Sequence, residues 1–288
     1  MWSTIEQHIQ GATEQPFSIL HKEIAVGGDI NLCFWVSNYQ QKYFVKLNDK
    51  SHLTHFESEA YALEKIKSAH QINCPDVISV GTTLNKSFLV LSYIPFETPD
   101  SHDWYHLGQQ LAQLHKNSSH GQFGWQHDNF IGDTLQPNKW QSNWRTFFAE
   151  QRIGWQLQLL HEKSIKLGNI DHITQVCHDA LLHHQVTPCL VHGDLWQGNI
   201  GFTDHKPVIF DPACYYGDRE VDIAMTELFG LLPDDFYQGY HVEFPLPPNY
   251  EQRKLVYNFY HILNHANLFG GIYIEQSKAV LSRILSIH

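Results

Sequence analysis

The stretch Leu190–Glu220 reads LVHGDLWQGNIGFTDHKPVIFDPACYYGDRE and combines carboxylates with an asparagine amide and two short apolar runs. The runs NIGF and PVIF, joined by the polar TDHK, predict a hairpin. A hairpin brings the residue before its first strand beside the residue after its second, which here are Asn199 and Asp211. Their amide and carboxylate oxygens are hard ligands of the kind that Mg²⁺ selects. The stretch therefore predicts a magnesium site close to a further carboxylate, that of Asp194.

Asp194 and Asn199 have four residues between them, which is the spacing His-x-Asp-x-x-x-x-Asn of kinase catalytic loops. In such loops the aspartate accepts the proton of the attacking hydroxyl and the asparagine holds metal. The alternative is an ordinary polar turn with an Asx cap, which accounts for any one of these residues more easily than for both together with Asp211. We therefore predict a phosphoryl-transfer site.

A phosphoryl-transfer site also needs a lysine for the nucleotide phosphates, held by a glutamate on a nearby helix. Lys46 follows alternating apolar residues in YFVKLN, and Glu59 lies in the helical stretch that comes next. A single strand lysine is usually a solvated charge, so its agreement with the distant loop supports this prediction. The turn Gly27-Gly28 precedes Lys46 and would let backbone amides approach phosphate, although Gly-Gly is also a common hairpin turn.

The bulk composition excludes several classes of protein. The chain has 288 residues, of which 42% are apolar, and no run is long enough to cross a bilayer, so we expect a globular cytoplasmic protein without a membrane partner. A net charge of −11 without a basic cluster argues against a nucleic-acid partner. Five scattered cysteines without Cys-x-x-Cys spacing predict buried thiols rather than a disulfide framework or a zinc site.

Hydrophobic periodicity divides the chain into two parts. Residues 1–93 predict a β-rich N-terminal lobe of five strands, the first three in an antiparallel meander, with one main helix in SHLTHFESEAYALEKIKSAH that serine or threonine could cap. Residues 94–288 predict a mainly α-helical lobe in which the stretch around the hairpin is the one β region. Four stretches there have helical period: WYHLGQQLAQLHKNS, WQSNWRTFFAEQRIGWQLQLLHEKS, IDHITQVCHDALLHH and RKLVYNFYHILNHANLFGGIYI.

Several motifs together resemble the fructosamine-3-kinase or ketosamine-3-kinase family, in its bacterial branch. They are LVHGDLWQGNIGF, IFDPACYYGDREVDIAM, FGWQHDNFIG and NWRTFFAEQRIGWQ, and the similarity runs over essentially the whole chain. The resemblance implies a protein-kinase-like bilobal α+β fold with ATP and Mg²⁺ between the lobes. It also implies transfer of the γ-phosphate to the 3-hydroxyl of a sugar ketoamine, a ribulosamine, an erythrulosamine or a fructosamine, in deglycation of proteins or amines.

The resemblance also implies roles for individual residues. Asp194 would be the general base, Asn199 and Asp211 the Mg²⁺ ligands, Lys46 the nucleotide-phosphate contact and Glu59 its partner. Around the nucleotide, Gly27, Gly28 and the junction Ser92-Tyr93 would complete the site. Asp222 would brace the backbone of the catalytic loop, and His192 would order the same loop.

Two residues are candidates for binding the acceptor. The indole of Trp196 could stack on a sugar or pack under the catalytic loop. Asp128 matches a family motif on the acceptor side, where a carboxylate would suit a protonated ketoamine nitrogen, and the alternative is a helix-capping Asp-Asn pair. Both alternatives remain open at this point.

The sequence departs from two patterns. Asp211 is followed by Pro-Ala where protein kinases have Phe-Gly, and the short distance to Asp222 leaves no room for a long activation loop. Relatives often carry cysteine in the Gly-Gly turn, where this chain has Asp29, so we expect no redox control through that turn. Two other functions compete with a ketosamine kinase: a small-molecule kinase acting on another alcohol, such as an aminoglycoside or choline, and a nucleotide-binding module without catalysis.

Overall fold

The computed structural model describes residues 1–25 and 30–287. The helices are α1 (Trp2–Thr13), α2 (Leu53–Ser68), α3 (Ser101–Asn117), α4 (Trp144–Phe148), α5 (Trp155–Glu162), α6 (Ile170–Ala180), α7 (Glu220–Thr226), α8 (Asp234–Glu243), α9 (Tyr250–Phe269) and α10 (Ile272–Ile287). The strands are β1 (His21–Ile24), β2 (Leu32–Ser37), β3 (Lys42–Asp49), β4 (Val77–Thr82), β5 (Lys86–Ser92), β6 (Asn129–Ile131), β7 (Thr134–Gln136), β8 (Cys189–Val191), β9 (Ile200–Thr203), β10 (Lys206–Ile209) and β11 (Tyr215–Gly217). These elements form two compact units. The first unit is Met1–Pro99 with Gly201–Asp211, and the second is Asp100–Ile200 with Pro212–His288.

The first unit is built on a five-stranded antiparallel sheet in the order β1-β2-β3-β5-β4. The three-stranded meander predicted from the sequence is confirmed. Alternation along β3 sends Tyr43, Val45 and Leu47 into one apolar cluster, while Phe44 packs against another. Because successive side chains of a strand point to opposite faces, Lys46 lies on the same face as Phe44.

Two helices, rather than the one predicted, cover this sheet. Helix α1 buries Ile5 and Ile9 in the cluster that contains Val45, and α2 buries Phe56 and Leu63 in the other. The sequence signal for α1 was the pair Ile5 and Ile9, four residues apart and so on one helix face. The predicted serine or threonine cap of α2 is wrong, because no side chain caps the helix, which instead follows a 3₁₀ turn over Lys50–His52.

The predicted hairpin is present as β9 and β10. It belongs to the first unit, where the backbone of Glu97 donates to Phe202 and that of Ile209 donates to Asn73. The rings of Phe96 and Phe210 stack with centroids 5.4 Å apart. The predicted boundary between residues 93 and 94 thus differs from the boundaries of the two units. The first segment of the first unit ends at Pro99, and its second segment is the hairpin region, Gly201–Asp211. The nucleotide and catalytic roles assigned to the two lobes stay predictions.

The second unit is mainly helical but contains more strand than predicted. Besides β8 paired with β11, it has a hairpin of β6 and β7 outside the predicted β region. The helix predicted around NWRTFFAEQRIGWQ is interrupted by a π-helical segment, Ala149–Gly154, between α4 and α5. The last predicted helix is also two: Gly270 and Gly271 have φ of 63° and 54°, a conformation that ends α9 before α10 begins.

Two further predictions concern the cysteines and membrane-spanning segments. All five cysteines lie in the described part of the chain and are free thiols, four of them buried. Across residues 1–25 and 30–287, no helix is both long enough and apolar enough to cross a membrane.

Candidate active site

Three of the predicted site residues meet in the first unit. The Lys46 ammonium lies 2.7 Å from Glu59 Oε1 and 2.5 Å from Asp211 Oδ1. The Lys46 side chain is 5% exposed and that of Glu59 14%, whereas Asp211 is 43% exposed. The predicted contact between Lys46 and Glu59 is therefore present. The ion pair with Asp211 joins residues 165 positions apart.

One ammonium faces two carboxylates in this group, so its three charges sum to about −1. Burial acts to lower the pKa of Lys46, but the charges of Asp211 and Glu59 and their hydrogen bonds outweigh it and hold that pKa above its ordinary value. Burial, together with the negative charge of Asp211, raises the pKa of Glu59 even though Lys46 opposes the shift. The excess negative charge and the half-exposed Asp211 fit a divalent cation, which binds to carboxylate oxygens.

Asp211 has an unusual backbone conformation. Its φ of 58° lies in the left-handed region, which few residues other than glycine adopt and which aspartate tolerates better than most. Such conformations persist only where the surroundings enforce them, and they concentrate at functional sites. The conformation thus agrees with the metal-binding role predicted for Asp211.

The catalytic-loop residues lie in the second unit. Asn199 is buried at the end of a 3₁₀ turn, Gln197–Asn199, and its Nδ2 donates to the backbone oxygen of Asp194 at 2.8 Å and to Asp194 Oδ2 at 3.4 Å. Because the amide nitrogen faces Asp194, the amide oxygen is the atom of Asn199 that could bind a cation. Asn199 and Asp211 belong to different units, and their proximity stays a prediction.

The loop that carries Asp194 is held by Asp222 at the start of α7. Asp222 Oδ2 accepts from the backbone nitrogen of His192 at 2.7 Å, and Oδ1 accepts from that of Gly193 at 2.8 Å. The bracing role predicted for Asp222 is confirmed. Gly193 has a φ of 81°, and a Cβ there would overlap the carbonyl oxygen of Ala213, so only glycine fits.

Asp222 is itself fixed by His115 on α3, a residue that the sequence analysis missed. His115 Nε2 lies 3.1 Å from Asp222 Oδ2, and its Nδ1 lies 2.8 Å from the hydroxyl of Tyr240. Burial acts to raise the pKa of Asp222, but the hydrogen bond and charge of His115 and the charge of His192 outweigh it and lower that pKa. The pattern around His115 is an ordinary helical one, so no local signal identifies it.

The predicted nucleotide-site residues at the end of β5 have structural contacts. Ser92 Oγ accepts from the backbone nitrogen of Asp76 at 2.9 Å. The ring of Tyr93 meets Trp35 edge-on at 4.8 Å, and Lys42 Nζ lies 3.9 Å from its centroid. Their role in binding a nucleotide stays a prediction. Gly27 and Gly28, also predicted to contact it, lie outside the described residues.

Trp196 is 40% exposed at the surface of the second unit. Its indole folds over Gly198 of its own loop and meets Phe229 edge-on with centroids 6.5 Å apart. Phe229 in turn lies 4.6 Å from the ring of His265, whose pKa is lowered mainly by burial. The indole therefore packs on the loop and still presents area to solvent, so the role of Trp196 in acceptor binding stays a prediction.

Asp128 is exposed, and its Oδ1 accepts from the backbone nitrogen of Asn138 at 2.8 Å. The helix-capping alternative is wrong, because the next residue, Asn129, begins strand β6. The acceptor-binding role predicted for Asp128 stays a prediction.

The second unit also contains a cavity of about 390 Å³, lined by residues of the segments 180–185 and 247–253 and by none of the predicted site residues. Two of its lining side chains bind buried carboxylates: His184 lies 2.6 Å from Asp218, and Arg253 donates to both oxygens of Glu220. These contacts satisfy the side chains within the protein, so a structural role accounts for them.

Comparisons with known proteins identify the family of this chain. The model of the family described as fructosamine kinase matches residues 1–287. A Vibrio parahaemolyticus protein named "Probable ketoamine kinase" is 47% identical over 287 residues, which cover 99% of this chain and all of that protein. The crystal structure of a candidate fructosamine-3-kinase from Haemophilus somnus superposes with a TM-score of 0.94 at 35% identity, over 99% of this chain and 98% of that one.

A choline kinase from Streptococcus pneumoniae matches with a TM-score of 0.67 at 15% identity, over 99% of both chains. At that identity the likeness concerns the fold alone, and it confirms the kinase-like fold class predicted from the sequence. The match of the family model over nearly the whole chain, with relatives of similar length, decides the family. The chain belongs to the fructosamine kinase family of phosphotransferases.

Proposed function

We propose that this protein transfers the γ-phosphoryl group of ATP to the 3-hydroxyl of a sugar ketoamine. The observation that carries the proposal is the loop of Asp194 and Asn199 braced by Asp222, in a chain that also pairs Lys46 with Glu59. These are the parts that a kinase requires for its acceptor and its nucleotide. The family of the chain and the names of its relatives support the choice of a ketoamine as acceptor.

The proposal assigns a task to each site residue. Asp194 accepts the proton of the acceptor hydroxyl, and Asn199, through its bond to Asp194, holds the carboxylate in place. Lys46 binds the nucleotide phosphates while Glu59 fixes its ammonium. Asn199 and Asp211 would hold Mg²⁺, which supplies charge stabilisation to the transferring phosphoryl group. Trp196 and Asp128 would contact the sugar and the protonated amine of the acceptor.

The substrate class includes ribulosamines, erythrulosamines and fructosamines, whether on free amines or on proteins. A 3-phosphate favours elimination of the sugar from the amine, so the reaction would serve deglycation. A related alcohol kinase, of the aminoglycoside or choline type, is the alternative activity, because those enzymes have the same fold.

A panel of acceptors tests the proposal. Incubation with MgATP and ribulose-lysine or fructose-lysine is expected to release ADP and form a sugar phosphate, measured by a coupled assay and mass spectrometry. Turnover of choline or an aminoglycoside, with none of any ketoamine, would decide for the alternative. ATP left unconsumed with every acceptor would point to a nucleotide-binding module.

The role of the general base is tested by Asp194→Asn. This change keeps the shape of the side chain but removes the basic oxygen, so kcat is expected to fall by about 10²- to 10⁴-fold. The matched control is Asp204→Asn in the exposed turn of the β9–β10 hairpin, where φ is 48° and asparagine is tolerated. An unchanged kcat in Asp194→Asn would remove Asp194 from the mechanism.

A further inference from the structure

Apart from Asp128, the motifs FGWQHDNFIG and NWRTFFAEQRIGWQ have no task in the reaction described above. In the second unit they contribute to a buried polar group that we name the amide cluster, which consists of Asn129, Gln136, Asn138, Arg152 and Tyr260. Each of these side chains is at most 3% exposed. Buried polar groups are costly unless their hydrogen bonds are made, so such a group needs a reason.

The amide cluster is directed at one segment of backbone. Asn129 Nδ2 donates to the carbonyl oxygen of Cys214 at 2.8 Å, and Gln136 Nε2 donates to that of Ala213 at 3.2 Å. Asn129 Oδ1 accepts from both Gln136 and Asn138 at 2.7 Å. The side-chain amide of Asn129 thus has a hydrogen-bond partner for both its oxygen and its nitrogen, which fixes the orientation of the amide.

The rest of the cluster holds these amides in place. Arg152 Nη2 donates to Asn138 Oδ1 at 2.7 Å, and the hydroxyl of Tyr260 donates to Gln136 Oε1 at 2.7 Å. The Arg152 guanidinium donates to uncharged oxygens of Asn138, Pro137 and Gln151. A buried cation that is bound to amide and carbonyl oxygens stabilises the orientation of those groups.

The segment that the cluster binds lies beside the catalytic loop. Ala213 donates its backbone nitrogen to the oxygen of His192 at 2.9 Å, and its carbonyl contacts Gly193 closely enough to exclude a Cβ. Ala213 also follows Asp211 by two residues in the sequence. The position of Ala213 and Cys214 therefore bears on Asp194 through the loop and on Asp211 through the chain.

We propose that the amide cluster is a positioning device for phosphoryl transfer, which holds the Ala213–Cys214 backbone so that the loop of Asp194 and the predicted metal ligand Asp211 are correctly placed. In protein kinases the corresponding metal-binding aspartate is followed by an activation loop that is ordered by phosphorylation. Here three residues lead directly into β11, and the carbonyl oxygens of two of them, Ala213 and Cys214, accept from the amide cluster. This inference rests on the proposed kinase function.

The test is the isosteric substitution Asn129→Asp. It replaces the donor to the Cys214 carbonyl with an acceptor, so the two oxygens repel and the segment moves. Loss of a supporting contact of this kind commonly costs about 10- to 100-fold in activity or metal affinity. We expect kcat to fall by that factor, the Mg²⁺ concentration for half-maximal activity to rise, and magnesium-dependent ATP binding, measured by calorimetry, to weaken.

The matched control is Asn169→Asp, because Asn169 is an exposed cap of α6 whose side chain only accepts, from His172 at 2.8 Å, and aspartate accepts equally well. Its kcat should equal that of the wild type. If Asn129→Asp does not fold, Tyr260→Phe removes a single hydrogen bond of the cluster and is expected to lower kcat by about 2- to 10-fold.

The outcomes separate the two proposals. A wild type that phosphorylates no ketoamine refutes the proposed function, whatever the variants do. A wild-type kinase whose Asn129→Asp variant has a lower melting temperature, but unchanged kcat per folded molecule and unchanged magnesium-dependent ATP binding, would show that the cluster only stabilises the fold. Unchanged values in Tyr260→Phe would overturn the inference in the same way.

Discussion

The two units stabilise their parts of the site by different interactions. In the first unit, Lys46 is held by full charges on Glu59 and Asp211. In the second, the loop of Asp194 is held by backbone hydrogen bonds to Asp222 and, through Ala213, by neutral amides. The ion pairs of the first unit depend on charge balance and tolerate some displacement of the charged groups. The contacts of the second unit depend on the direction of hydrogen bonds. Substitutions that change charge and substitutions that change shape should therefore affect the two parts differently.

The largest expected effect in this comparison follows from Lys46→Met. Removing the ammonium leaves a buried carboxylate uncompensated, which typically lowers the free energy of unfolding by about 3–5 kcal/mol. We expect that loss in urea denaturation, together with loss of ATP binding, and partial recovery of stability in Lys46→Met/Glu59→Gln. The control is Lys86→Met on β5, whose ion pair with Asp49 has the same 2.7 Å distance but is exposed. Exposed pairs contribute about 0–1 kcal/mol, so equal losses in both variants would contradict this explanation.

The second prediction concerns the brace of the catalytic loop. Asp222→Asn replaces one of two acceptor oxygens with an amide nitrogen, which would face the backbone nitrogen of His192 or Gly193. Loss of this contact is expected to lower kcat about 10- to 100-fold. A buried carboxylate on α3, Asp103, offers the control, because Asp103→Asn keeps an oxygen to accept from the backbone of Asp100. Steady-state kinetics of both variants would measure the difference, and similar kcat values would count against the brace.

The third prediction uses opposite pKa shifts in the two units. The pKa of Glu59 is raised, so ionised Glu59 costs stability at neutral pH, and the free energy of unfolding should rise as pH falls through its folded value. The pKa of Asp222 is lowered, so its contribution is present above the ordinary aspartate value of about 3.9 and is lost as pH falls below it.

Urea denaturation over a range of pH would separate these contributions. As pH falls from neutral toward the ordinary glutamate pKa of about 4.3, the stability of the wild type relative to Glu59→Gln should rise, by at most about 1.4 kcal/mol per pH unit for one proton. Over the same range, the free energies of unfolding of the wild type and Asp222→Asn should change in parallel. They should converge only below about pH 4. If the free energies of unfolding of the wild type and Glu59→Gln change in parallel over the whole pH range, a raised pKa of Glu59 is excluded.

The smallest expected effect concerns the thiols. Burial raises the pKa of Cys33, opposite Lys46 in the sheet, to about 11, and that of Cys74 to about 12. At pH 7 about 10⁻⁴ of the Cys33 side chains are then thiolate, so reaction with a disulfide reagent should be slow. We expect activity to stay within about twofold after such treatment of the native protein, with the thiols reacting rapidly only in urea. Rapid inactivation of the native enzyme would show a reactive cysteine.

Much of the site could be predicted because its candidate residues lie in local sequence patterns. Alternating apolar residues indicate strand β3 and the sheet face on which Lys46 lies, and helical period indicates the helix that contains Glu59. The polar residues between two apolar runs indicate the hairpin. Helix α1 was missed although its signal is present in Ile5 and Ile9. The π-helical segment was missed because helical period alone does not reveal how the backbone bonds are arranged.

The sequence by itself determined the chemical groups and their spacing along the chain, because the loop of Asp194 and Asn199 and the strand of Lys46 are encoded by neighbouring residues. Only the tertiary structure decided that Lys46 binds Asp211, that His115 supports Asp222, and that Asn129 binds the Cys214 carbonyl. These contacts join residues far apart in sequence, and a hydrogen bond or ion pair between distant residues leaves no periodic pattern in either segment. Their geometry depends on strand register and helix packing, which the whole chain sets together.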